Sequence, residues 1–171
     1  TPQTALLYPG GCLIEGTELS EGRGTTRPFH LVGAPHLRPT ELAERLRERK
    51  LPGVSFVPTF FRPQFQKHAG AVCSGVELLV GNPETFEPYR TGAEILRAAR
   101  ACSPERFLWR EKAYEFVEEI PAIDLLTGDG TYRRLLEGAG SLESFDRWLS
   151  SCRREAAAFQ ERSRRFQLYG D

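Results

Sequence analysis

The chain has 171 residues, 40% of them apolar and 27% charged, which is the size and make-up of one ordinary soluble globular domain. Lysine plus arginine equals aspartate plus glutamate at 23 each, so no net field recruits nucleic acid or an anionic membrane. No stretch approaches the roughly 18 apolar residues that a spanning helix needs, so no membrane span is expected.

Methionine is absent, and Thr1-Pro2-Gln3-Thr4 reads as the tail of a proline-containing linker. The chain is therefore expected to be a processed or truncated piece of a longer protein. Cys12-Leu13-Ile14, opening out of Pro9-Gly10-Gly11, suggests a short buried strand. A polar, glycine-punctuated loop follows to Thr26, and Phe29 to Val32 suits a second strand. Pro39-Thr40 opens a helix with Thr40 as N-cap, Leu42 and Leu46 on its buried face, and a Glu41/Arg45 pair on the other. Val54 to Val57 reads as a strand that Pro58 ends or pushes to an edge, and Val76 to Val80 as another. Thr91-Gly92-Ala93-Glu94 has capping-box spacing ahead of Ile95, Leu96 and Ala99. Asp129 is placed to cap a short helix carrying Tyr132, Leu135 and Leu136. Leu142, Phe145, Leu149, Cys152, Ala156 and Phe159 recur three and four apart, the stripe of a long last helix.

With no repeat or internal linker, residues 1–171 are expected to form a single domain. Its class is α+β, with α/β as the alternative: a mixed sheet packed by helices and a long C-terminal amphipathic helix.

Chemistry concentrates in the loop from Glu15 to Arg27. Gly16, Gly22 and Gly24 allow close backbone approach, while Glu15, Thr17, Ser20, Arg23 and Thr25 crowd donors and acceptors into one segment. That mixture suits sugar recognition, and it equally suits a solvated hairpin loop. A second segment, Gln66 to Gly75, holds Lys67, His68 and Cys73. A Cys–His nucleophile pair is one reading of it and a structural histidine is the other. The phenylalanines at 56, 60, 61 and 65 are core, or in part a platform for a sugar face. The four cysteines (Cys12, Cys73, Cys102, Cys152) contain no C-x-x-C pair, and no histidine pair has metal-ligand spacing. Neither a metal nor a cofactor is expected.

A series of short motifs runs through the chain: Ala5-Leu6-Leu7-Tyr8-Pro9-Gly10, Glu15-Gly16-Thr17, and Ser20-Glu21-Gly22-Arg23-Gly24-Thr25-Thr26-Arg27-Pro28-Phe29. It continues through Gly33-Ala34-Pro35, Leu51-Pro52-Gly53-Val54, Lys67-His68-Ala69-Gly70 and Cys73-x-Gly75-Val76. Phe107-x-Trp109, Ile123-Asp124-Leu125-Leu126-Thr127-Gly128 and Leu168-Tyr169 complete it. In this order the motifs resemble the NamZ-type exo-β-N-acetylmuramidases, long known as a domain of unknown function. Pro63-Gln64-Phe65, where the family usually has Pro-Thr-Phe, and Glu77, where it has glutamine, depart from the pattern.

The resemblance implies the smaller, C-terminal domain of a two-domain glycosidase whose Rossmann-like N-terminal domain is missing. Such enzymes release N-acetylmuramic acid from non-reducing ends of peptidoglycan fragments, which suits cell-wall recycling. It implies muropeptides and the missing domain as partners, and favours a secreted or periplasmic location. Glu15 becomes the candidate catalytic, second or substrate-binding carboxylate, or else ties down the loop by accepting backbone N–H bonds, with Thr17, Ser20, Arg23, Thr25, Lys67 and His68 as substrate-binding candidates. Arg23 is expected to grip the lactyl carboxylate, the alternative being that it braces the turn it sits in. The chain alone is expected to be inactive. The alternative is a non-catalytic carbohydrate-binding or protein-interaction domain.

Overall fold

The structure is a computed structural model that describes residues 1–138 and 140–169. Its residues group into two compact units, Thr1–Gly130 and Thr131–Asp171. Among the described residues, no helix is long and apolar enough to cross a membrane.

In the first unit the chain opens with α1 (Pro2–Gly11), not with a linker: Thr1 accepts from the Thr4 N–H and Pro2 occupies the first turn. Gly10 is not a turn residue. A Cβ there would lie 1.8 Å from the Pro88 carbonyl oxygen, and one on Gly92 would lie 2.1 Å from the Gly10 carbonyl. The two glycines let α1 touch α3 (Pro88–Cys102) backbone to backbone. The expected strand at Cys12–Ile14 is instead a 3-10 helix, Cys12–Gly16. Consecutive Leu13 and Ile14 are both fully buried, which a helical turn packed on several sides allows and a two-faced strand does not.

Three strands, β1 (Leu31–Ala34), β2 (Val54–Phe61) and β3 (Cys73–Val80), form a sheet in the order β1-β3-β2. Both pairings are antiparallel, so the fold is the α+β class expected. Pro58 lies inside β2 and does not end it; β2 pairs only with β3, and this edge position tolerates the missing N–H. One sheet face, bearing Val32, Ala34, Phe56, Val76 and Leu78, is buried and meets α2 (Pro39–Glu48) through β2 and β3. The other face carries a small buried cluster of Leu31, Phe61 and Cys73.

Helix starts differ from expectation at two places. Pro39 is the first residue of α2, so Arg38, not Thr40, sits at the N-cap and reaches Glu41. Glu41 also pairs with Arg45 as expected. The Thr91–Glu94 capping box lies inside α3, which begins a turn earlier at Pro88. Glu94 faces Arg49 at 2.6 Å and Arg97 at 2.8 Å and is fully buried, so it is an interior ion pair rather than a cap. A short α4 (Ala122–Thr127) packs on the 3-10 helix, where Gly16 lies against Ile123.

The second unit contains α5 (Thr131–Glu137) and α6 (Leu142–Ser163), followed by a 3-10 turn at Arg164–Phe166. Ser141 caps α6 by accepting from the Ser144 N–H. Tyr132, Phe145 and Trp148 cluster with ring centroids 4.7–6.0 Å apart. Of the expected stripe, Phe145 and Leu149 are buried, while Leu142 and Phe159 are exposed.

Candidate functional site

The 3-10 helix carries Glu15 next to its last residue, with the side chain 13% exposed. Arg23 Nη2 donates to Glu15 Oε1 at 2.7 Å, and Arg23 Nε lies 3.3 Å from Glu21 Oε1. The guanidinium also lies 5.3 Å from the ring centroid of Phe29, a cation–π distance. Glu21 is nearly buried, and its Oε2 accepts from Lys67 Nζ at 2.9 Å. Lys67 donates as well to the Ile14 carbonyl at 3.1 Å and the Leu19 carbonyl at 2.9 Å. Three acceptors thus match three ammonium protons. The result is an alternating array, Glu15–Arg23–Glu21–Lys67, in which two carboxylates balance two cations.

Tyr114 completes the array from the far side. Its hydroxyl donates to Glu15 Oε2 at 3.3 Å. Burial, and then the neighbouring Glu15 charge, pushes the Tyr114 hydroxyl up to about 12, so it keeps its proton throughout the neutral range. Glu15 is therefore held at one oxygen by a cation and at the other by a neutral donor.

Thr17, Ser20 and Thr25 point elsewhere. The Thr17 hydroxyl donates to the Ile14 carbonyl and accepts from the Leu19 N–H, fully buried. Ser20 Oγ accepts from the Gly22 N–H, and Thr25 Oγ1 donates to the Gly22 carbonyl while accepting from the Arg27 N–H. All three side chains shape the loop. His68 Nε2 lies 2.7 Å from the Glu18 carbonyl, which can only accept, so that nitrogen carries the ring proton. Cys73 is buried beside Leu31 and Phe61, and burial pushes its thiol up to about 11. It stays a thiol at neutral pH, and the Cys–His reading lacks its nucleophile.

The loop and the segment after β2 are locked face to face. Gln64 N–H donates to the Gly24 carbonyl at 2.8 Å. Gly24 has φ +83°, and a Cβ there would lie 2.5 Å from the Phe65 carbonyl oxygen, so only glycine fits. Phe29, Gln66 and His68 all hold positive φ (66°, 68° and 58°) around the array. Left-handed backbone at non-glycine residues costs about 1–3 kcal/mol each and persists where the surroundings over-determine it. Beyond these lies the strand-like segment 108–110, with Thr17 bridged to Trp109 and the Arg110 N–H donating to the Gly16 carbonyl at 3.0 Å. An open cleft of about 360 Å³ here is lined by Glu18, Gln66, Lys67, Arg110 and Lys112.

Residues 6–169 match the family described as "Exo-beta-N-acetylmuramidase NamZ, C-terminal". The chain belongs to this family. Over 169 residues it is 37% identical to "Peptidoglycan beta-N-acetylmuramidase NamZ" of Bacillus subtilis (strain 168), covering 99% of this chain and 38% of that protein. A crystal structure of a DUF1343 family protein from Bacteroides fragilis has a TM-score of 0.81 at 21% identity, covering 99% of this chain and 43% of its own. A second from the same organism has a TM-score of 0.63 at 23% identity, covering 100% and 42%. These two share the fold. The chain spans about two fifths of the length of the relatives it matches.

Within this NamZ C-terminal fold, the structure unites Glu15, Arg23 and Lys67 of the expected residues and turns Thr17, Ser20 and Thr25 inward. Sequence reading passed over Glu21, Tyr114, Arg110 and Lys112. Glu21 carried a signal, since it stands two residues before Arg23 in the densest polar run. Tyr114 lies 99 positions from Glu15 and carried none.

Proposed function

We propose that this chain is the substrate-binding, C-terminal part of a glycosidase that releases N-acetylmuramic acid from non-reducing ends of peptidoglycan fragments. Its partners are muropeptides and a catalytic N-terminal domain, and its location is secreted or periplasmic. The observation that carries the reading is Glu15, a partly exposed carboxylate fixed by Arg23 and Tyr114 on a loop whose shape is set by charge pairs and strained backbone. A site that must discriminate sugars needs such pre-set polar groups.

Glycoside hydrolysis usually needs two carboxyl groups flanking the scissile bond. Glu21 cannot be the second, because it is enclosed between Arg23 and Lys67. Glu15 is left as the more exposed carboxylate of the array, and we assign the other to the N-terminal domain. Glu15 then acts as sugar-binding residue or second carboxylate. The test compares hydrolysis of a chromogenic β-N-acetylmuraminide by the intact protein and by these 171 residues alone. Turnover by the intact protein only is expected. Robust turnover by the isolated chain, lost on Glu15→Gln, would overturn the division of labour.

A further inference from the structure

The array and the cleft beside it differ in charge balance. Arg23 already faces two carboxylates, at 2.7 and 3.3 Å, and Lys67 has every donor occupied. A ligand carboxylate approaching Arg23 would meet the negative charge of Glu15 and Glu21 at the same range, with no net field to draw it in. The cleft is lined by Lys67, Arg110 and Lys112 against Glu18. With Lys67 neutralised by Glu21, two cations remain for one carboxylate.

Those two cations are also available. Among the described residues, neither Arg110 nor Lys112 is ion-paired. Arg110 is oriented without being neutralised. Its Nη2 donates to the Ala113 carbonyl at 2.9 Å, its Nε donates to the Lys112 carbonyl at 3.3 Å, and its guanidinium lies 5.4 Å from the Tyr114 ring centroid. Its backbone N–H is tied to Gly16. Among the described residues Nη1 meets no acceptor, which leaves both of its N–H donors for a ligand on a group already held in place. Lys112 stands exposed at the cleft wall as a mobile point charge. Glu18 and Gln66 add an acceptor and an amide suited to hydroxyl or acetamido groups.

We propose that Arg110 and Lys112 form an anion-reading subsite that takes a carboxylate borne by the sugar ligand, while Arg23 braces the loop. The inference deepens the muramidase reading and rests on it. A carboxylate reaches such a ligand in two ways, on the lactyl arm of N-acetylmuramic acid or farther out on an attached peptide. The subsite reads the same charge in both.

The test is titration calorimetry on the intact protein with N-acetylmuramic acid, muramyl dipeptide and N-acetylglucosamine. The first carries a free lactyl carboxylate, the second carries it amidated with one free carboxyl farther out, and the third has none. Lys112→Ala should weaken the ligand whose acid the subsite reads about threefold and Lys112→Glu about tenfold, while N-acetylglucosamine binding stays unchanged. Raising the salt concentration should weaken only the acidic ligands. Loss confined to N-acetylmuramic acid assigns the lactyl group, and loss confined to muramyl dipeptide assigns the peptide; either supports the subsite. Arg110→Lys should lose acidic ligand as well, but it also disturbs the 110–114 turn, so the exposed Lys112 variants decide the matter. Arg23→Lys should weaken all three ligands alike.

Unchanged N-acetylmuramic acid and muramyl dipeptide binding in Lys112→Glu would overturn the inference. So would equal loss for all three ligands, or no binding of any by the unaltered protein. Hydrolysis of a β-N-acetylmuraminide by the unaltered protein judges the muramidase reading separately, since that reaction can persist when the subsite assignment fails.

Discussion

The glycine loop, residues 15–29, is held by side chains that arrive from 46 to 99 positions away: Lys67 at Ile14, Leu19 and Glu21, and Tyr114 at Glu15. Helix α6 packs its first turns on Tyr132, whose ring meets those of Phe145 and Trp148. Its further order comes from its own backbone ladder and the Ser141 cap, and its apolar stripe is only partly covered, with Phe145 and Leu149 buried and Phe159 64% exposed. The loop is specified by distant tertiary partners, while the outer turns of α6 rest mainly on their own periodicity. Mutations should therefore be costly in the loop and nearly silent along the outer half of the helix.

The sharpest break comes from Lys67→Ala. It removes three hydrogen bonds and leaves nearly buried Glu21 without its cation on that side, which should cost roughly 2–4 kcal/mol in urea unfolding. A loss below about 0.5 kcal/mol would mean that the loop does not depend on the array. Gly24→Ala follows, at about 1–3 kcal/mol, since alanine must adopt φ +83° with its Cβ against the Phe65 carbonyl. Calorimetric melting reads this directly.

A pH series comes next. Burial and then Arg27 lower the His30 pKa; burial, then Arg106 and then His68, lower that of His36. The unfolded chain, with histidine pKa near about 6.5, then binds more protons than the folded one. The stabilisation is present above about pH 6.5 and is lost as pH falls through the lowered folded values. The melting temperature should drop from pH 7 towards pH 5, and His30→Gln should flatten that slope. A slope of unchanged steepness would place the acid sensitivity elsewhere. Phe159→Ser should shift stability least, within about 0.5 kcal/mol. A larger loss would show that the outer stripe of α6 is covered in solution.

The same contrast explains what the sequence revealed. The positions of α2, α3, α6 and β3 followed from apolar spacing, because each buries one face against a neighbour. Cys12–Ile14 misled because a three-residue apolar run has no period, and burial on several sides made it helical. Thr91–Glu94 misled because Glu94 finds Arg49, 45 positions away, and an interior ion pair has the same letters as a cap. Within the site, Glu15, Arg23 and Lys67 were visible as residue types rich in hydrogen-bonding chemistry. That Thr17 and Ser20 turn inward, or that Tyr114 reaches Glu15, depends on a chain path that no local pattern encodes.

Whether Glu15 serves a muramidase site is decided by Glu15→Gln in the intact protein. Glutamine keeps the size of the side chain and can still accept the Tyr114 hydrogen bond, but it cannot carry the charge. With circular dichroism unchanged, kcat/KM on a chromogenic β-N-acetylmuraminide should fall roughly tenfold to a hundredfold. Unchanged turnover by the folded variant would contradict the account and make the array a brace for the loop alone.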